Sequence, residues 1–282
     1  MNVFKMFLLL ATLSLLLIGV GYLIAGPVGA SIAFFMAIIM NMTSFWFSDR
    51  IVIGMFRARP ASPTQYPGLH HMVDNLSGAA LIPKPKLWIL PLKVPNAFAV
   101  GKSPRHASVA VTEDILHTLN EGELEGVLGH EMAHIKNRDT LIAAVAATLA
   151  GAVVMIAYWA RWIAIAGTGD RGRGGIGVVG LLLLSILAPL AALIIQMAIS
   201  RTEEYRADRT GAYLSGKPLD LASALEKLHL AARRRPLGGA LPSSSHLFII
   251  NPFRAGFPFT MFSTHPPTEE RVKILRALAE ML

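Results

Sequence analysis

Apolar residues fall into long uncharged runs in two parts of this chain, and at helical or alternating spacing elsewhere. From Met6 to Ser48 no residue is charged. Gly26-Pro27 divides that run into two lengths, each able to cross a hydrocarbon layer about 30 Å thick. Residues 1–48 are therefore expected to form a transmembrane hairpin. A cleaved signal peptide is the rival for the first half, but its apolar run exceeds the usual length of about 7–15 residues and a second span follows at once. Thr140 to Ala160 and Gly174 to Ser200 are again uncharged, which predicts a second hairpin over 140–200. Pro189 is tolerable there as a kink, and the Gly/Arg-rich residues 167–175 serve as the connector.

Between the hairpins, residues 49–139 carry polar residues at soluble density. Tyr66 to Ala80 predicts a helix in which His70-His71 pack. Lys86 to Leu90 and Ser108 to Thr112 read as strands, with Asn96-Ala-Phe-Ala-Val100 between them and a turn at Gly101 to Arg105. The Asn96 segment reads equally well as a hairpin arm and as an edge to which an extended peptide could add. Asn120 followed by Glu123 forms a candidate capping box, and Leu124, Val127, Leu128 and Ile135 then recur at helical spacing. In the last part, 201–282, a helix begins at Ser200 and an amphipathic one is expected over Leu219–Ala232, with His229 packing. Residues 236–264, rich in Pro, Gly, Ser and Phe, form a long loop expected to cover a cleft or touch the membrane surface. Thr268 caps a final helix, Glu269 to Met281.

Composition agrees: 53% of the 282 residues are hydrophobic and 16% charged, the balance of a membrane protein. The net charge of +8 comes without aromatic interleaving or a binding module, so attraction to anionic headgroups explains it better than nucleic acid. Lys5, Arg50, Arg57 and Arg59 flank the first hairpin and place both its ends in the cytoplasm. Arg161, Arg171 and Arg173 oppose that orientation in the second hairpin, but the cytoplasmic flanks outnumber them. With no cysteine, a metal would have to be held by His and carboxylate.

Such a set is present. His130-Glu-Met-Ala-His134 reads H-E-x-x-H on the helix that follows Asn120, with its imidazoles about 40° apart on one face and one turn apart. Two imidazoles so placed can grip one zinc ion, and Glu131 can serve as general base. Glu131 falls inside the apolar stripe, where a plain core helix would carry an aliphatic residue. Two membrane crossings after His134 return the chain to the same side at Arg201. There Glu204 and Asp208 share a helix face, so one could complete the metal site while the other orients an imidazole. Glu203 is the rival ligand, but its i+4 partner is Ala207. Ser243-Ser-Ser245 lies in no G-x-S-x-G turn, which argues against a serine hydrolase.

The amino-terminal hairpin, Asn96-Ala-Phe, the H-E-x-x-H helix, the later hairpin, Glu204-Tyr-Arg-Ala-Asp208 and Ser263-Thr-His-Pro-Pro267 together resemble the HtpX family of bacterial membrane zinc proteases, over essentially the whole chain. That family is related to the CAAX prenyl proteases. The resemblance implies an α-helical membrane protein with a zincin-like α+β cytoplasmic domain and four transmembrane helices in two hairpins. It implies one Zn2+ held by His130, His134 and Glu204, with Glu131 as base and Asp208 supporting an imidazole. It further implies Asn96, Ala97 and Phe98 as a substrate-binding strand, and His265 and Arg271 as catalytic groups near the cleft, with His265 donating to the reacting carbonyl oxygen. The implied setting is the bacterial inner membrane with the site facing the cytoplasm, and the implied task is removal of damaged membrane proteins. A CAAX-type prenyl-peptide protease and a silent zinc-bearing scaffold are the alternatives; four spans are few for the enclosed chamber of the former, and Glu131 would have no task in the latter.

Overall fold

A computed structural model of the chain describes residues 2–145, 148–149, 201–234, 247–250 and 266–282. Most of the expected second hairpin, the Gly/Arg-rich connector, the greater part of 236–264 and His265 lie outside the described residues.

The first uncharged run is helical throughout as α1, Asn2–Met55, except at Ala25 and at Gly26, where φ is +59°. That left-handed turn suits a residue without Cβ, and here the chain reverses direction. Asn41 Nδ2 donates to Ser14 Oγ at 2.9 Å across the two arms. Past the kink, Ala25–Met55 is one helix of 31 residues, long and apolar enough to cross a membrane. Phe7, Leu15, Val28, Ile32, Phe35, Ile39 and Trp46 are exposed along the hairpin, an apolar belt that water does not favour and lipid does.

The sheet is small. β1 (Arg59–Pro60), β2 (Lys86–Leu90), β4 (Ala107–Thr112) and β3 (Ala97–Gly101) lie side by side in that order. β2 and β4 run parallel, while β3 is antiparallel to β4 with Ala99 opposite Val109. Both readings of the Asn96 segment therefore describe it in part: β3 is a hairpin arm and also the edge. Helix α2 (Pro67–Ala80) and the short α3 (Glu113–Thr118) flank the sheet.

Helix α4, Glu121–Asn137, opens with the expected capping box of Asn120 and Glu123. Val127, Leu128, Met132 and Ile135 on it are fully buried. One continuous core joins α2, the sheet and α4 to Ala212, Leu225 and Leu275 from the carboxy-terminal part. That part supplies α5 (Arg201–Ser215), α6 (Pro218–Arg234) and α7 (Thr268–Ala279). The two polar segments, separated in sequence by the second uncharged run, thus fold as one unit. The end of α1 docks on the sheet through Val52 and Ile53, which share a cluster with Leu90, Phe98 and Val100.

Helices α4 and α5 meet backbone to backbone. A Cβ built on Gly211 would stand 2.6 Å from the His130 nitrogen, and one on Gly129 would stand 2.7 Å from the Gly211 oxygen. Any larger residue would push the two helices apart at the level of His130.

Candidate metal centre and active site

That close crossing brings Glu204 of α5 against the two histidines of α4. His130 Nε2 and His134 Nε2 are 3.2 Å apart, and the Glu204 carboxylate oxygens lie 3.9 Å from the first and 3.5 Å from the second. All three ligand atoms fall within 4.8 Å of one another, and they form a metal-competent group among the described residues. Tetrahedral zinc with bonds of about 2.0–2.1 Å needs donor atoms about 3.3 Å apart, so the set fits such an ion with small adjustments. Two imidazole lone pairs converging on one carboxylate also make an arrangement that a cation satisfies. Glu203 lines the same cavity but is not in the group.

The outer nitrogens of both rings face carboxylates. His130 Nδ1 is 2.9 Å from Asp208 Oδ1, and Arg271 Nε and Nη2 both donate to the Asp208 carboxylate at 2.7 Å. Arg271 is fully buried, with Nη1 3.7 Å from Glu204 and also donating to the Ile249 carbonyl. It therefore meets the group through Asp208 and Glu204. His134 Nδ1 is 3.4 Å from Asp139 Oδ2, and Arg206 Nη2 donates to both oxygens of that carboxylate at 3.0 and 3.2 Å. Neither Asp139 nor Arg206 stood out in the sequence, because residue i+5 on a continuous helix lies about 140° away from residue i.

These surroundings set the charges. Burial pushes the Glu131 carboxyl up to about 7, with the neighbouring Glu204 carboxylate adding to the rise; His134, the Ala99 N–H and Arg271 act against it. Burial holds His130 below its ordinary value despite Asp208. For His134 burial acts the same way but is outweighed by the Asp139 hydrogen bond and the Glu204 and Glu131 charges, which raise it to about 9 without a metal. Asp208 is held down at about 2 against burial by the Arg271 guanidinium.

Glu131 lines a cavity of about 60 Å³ together with His130, His134, Glu204, Phe98 and Phe248. That is room for a few water molecules. Asn96 is buried, and its carboxamide donates to the Leu247 carbonyl at 3.2 Å and accepts from the Ile249 N–H at 3.0 Å. Part of the long loop thus lies in the cleft, beside Phe98 and Ala99 of β3. No pattern in the sequence signals this contact.

A pair of imidazoles on one helix and a carboxylate from a second make a group that could hold a metal ion, with a buried acid beside them. The profile of peptidase family M48 matches residues 63–279, and this chain belongs to that family. Its relatives include the protease HtpX homologs of Pyrococcus furiosus, 54% identical over 96% of this chain and 94% of that one, and of Syntrophobacter fumaroxidans, 47% identical over 98% and 99%. The resemblance to the HtpX family is borne out, and with it the assignment to the membrane metalloproteases. Among solved structures, S. mikatae Ste24p aligns at a TM-score of 0.48 and 17% identity over 86% of this chain and 57% of that one, a likeness too distant to support argument.

Proposed function

We propose that the chain is a zinc endopeptidase in which His130, His134 and Glu204 hold the ion and Glu131 moves the proton. The observation that carries this is the convergence of the three ligand atoms within 4.8 Å, with Glu131 on the same cavity wall. The bound ion would supply Lewis acidity, acidifying a water and polarising the scissile carbonyl. Glu131 takes a proton from the attacking water and returns it to the leaving amine, a task suited to a carboxyl poised near neutrality. Asp208, fixed by Arg271, keeps the proton of His130 on Nδ1 and so leaves Nε2 free to ligate. Asn96, Ala97 and Phe98 offer the edge for an extended substrate, and His265 serves the reacting carbonyl oxygen.

The substrates in this reading are polypeptides, chiefly damaged or misfolded membrane proteins. The exposed apolar hairpin and the run of Arg50, Arg57 and Arg59 after it support a multi-pass protein of the bacterial inner membrane with its site facing the cytoplasm. Four spans in two hairpins, at 1–48 and 140–200, carry polar parts at 49–139 and 201–282. The test is Glu131→Gln in purified protein: zinc content should stay at one per chain while cleavage of an unfolded membrane protein is lost. Chelation should abolish wild-type cleavage and added zinc restore it. Retained proteolysis in the Gln variant would sink the assignment.

A further inference from the structure

We propose that Asp139 is the positioning residue of His134, held in place by Arg206. The inference rests on the reading of His134 as a metal ligand. Helix α4 stops at Asn137 because Arg138 takes a left-handed conformation, φ +61°, with its N–H bonded back to the carbonyls of His134 and Ile135. That conformation is disfavoured for a residue with a Cβ, and its result is to swing the next residue under the last turn. The Asp139 N–H then donates to the His134 carbonyl at 3.0 Å, while its carboxylate stands 3.4 Å from Nδ1 of the same residue. His134 is thus gripped at backbone and ring by one neighbour, which an uninterrupted helix would have carried to another face.

Arg206 closes the arrangement. It lies between Glu204 and Asp208 on α5, and its Nη2 reaches both oxygens of Asp139. One helix therefore contributes to the ligand set through Glu204, to the support of His130 through Asp208, and to the support of His134 through Arg206. Asp139 is 8% exposed and His134 retains 16% exposure in its side chain. Water can partly replace the carboxylate, so the contribution of Asp139 should be smaller than that of Asp208. Residues 140–145, helical again, follow directly, and Ile142 and Val145 among them pack on Met6 and Leu13 of the membrane hairpin. Asp139 accordingly stands where the metal site joins the apolar segments.

The test uses full-length protein in detergent and measures zinc affinity by competition with a chromophoric chelator. Asp139→Leu should raise the Kd for zinc about 10- to 100-fold, and Asp139→Asn less, since an amide oxygen still accepts from Nδ1–H. Arg206→Gln should give a smaller increase in the same direction. At full occupancy with cobalt, the d–d spectrum of Asp139→Leu should differ from wild type, which a purely structural role would not produce. If the Leu variant fails to fold, the Asn and Gln variants carry the measurement. Wild-type Kd and spectrum in every folded variant would overturn the role of Asp139 alone. A wild-type protein that takes no stoichiometric zinc would overturn the metal site and this inference together.

Discussion

His130 and His134 are the same kind of side chain one helical turn apart, yet the protein supports them differently. Behind His130, Asp208 and Arg271 are 1% and 0% exposed and meet through two bonds of 2.7 Å. Behind His134, Asp139 is 8% exposed, and its partner Arg206 has a side chain that is 45% exposed. Charges sealed from water interact strongly and are costly to leave alone, whereas solvent screens and substitutes for an open pair. The inner pair thus belongs to the core, and the outer pair sits at its rim.

The largest effect should come from breaking the inner pair. Arg271→Ala leaves Asp208 buried without its cation and is expected to cost about 3–5 kcal/mol of unfolding free energy. Arg206→Ala at the open pair should cost about 1 kcal/mol or less. Denaturant titration of both variants in detergent measures this, and equal losses would erase the distinction between core and rim.

A middle-sized effect is expected where the two supports share a foundation, the contact of α4 with α5. Gly211→Ala should cost about 1–3 kcal/mol through overpacking and reduce zinc occupancy, because the new methyl meets the backbone of His130. Gly78→Ala is the control: a Cβ there meets nothing within 4 Å, so a helix interior should gain about 0.5–1 kcal/mol. Thermal melting with metal analysis separates them, and undisturbed zinc in the Gly211 variant would show that the crossing distance does not matter to the site.

The smallest effect lies at the far end of α4, which neither pair supports. Glu123 closes the capping box and accepts from Lys227 Nζ at 2.7 Å and Ser223 Oγ at 2.6 Å. Burial opposes its charge, but these bonds hold its pKa below the ordinary 4.5. A depressed carboxyl stabilises the fold fully above its unfolded value, and that contribution fades as pH falls through the folded one. Glu123→Gln should therefore lower Tm slightly at pH 7, while the gap to wild type closes toward pH 3. A gap independent of pH would assign the effect to shape rather than charge.

Much of this was legible along the chain because the signals are local. An uncharged run, a capping box and two histidines four apart each act within a few residues, so the first hairpin, α4 and the shared face of its histidines could be read directly. That Glu204 and Asp208 share a face of α5 needed only helical spacing. The Asn96 segment was legible as a hairpin arm, and the strand order sets that arm at the end of the sheet.

What the amino-acid order determined on its own was the inventory: which stretch avoids water, which helix presents imidazoles, and which acids share a face. Tertiary structure decided the supports. The left-handed Arg138 turns Asp139 beneath His134, two glycines let the helices touch, and the Asn96 carboxamide grips a loop some 150 residues away. Such contacts depend on where separate segments come to rest once the core closes, and no periodicity along the chain encodes a distance between its remote parts.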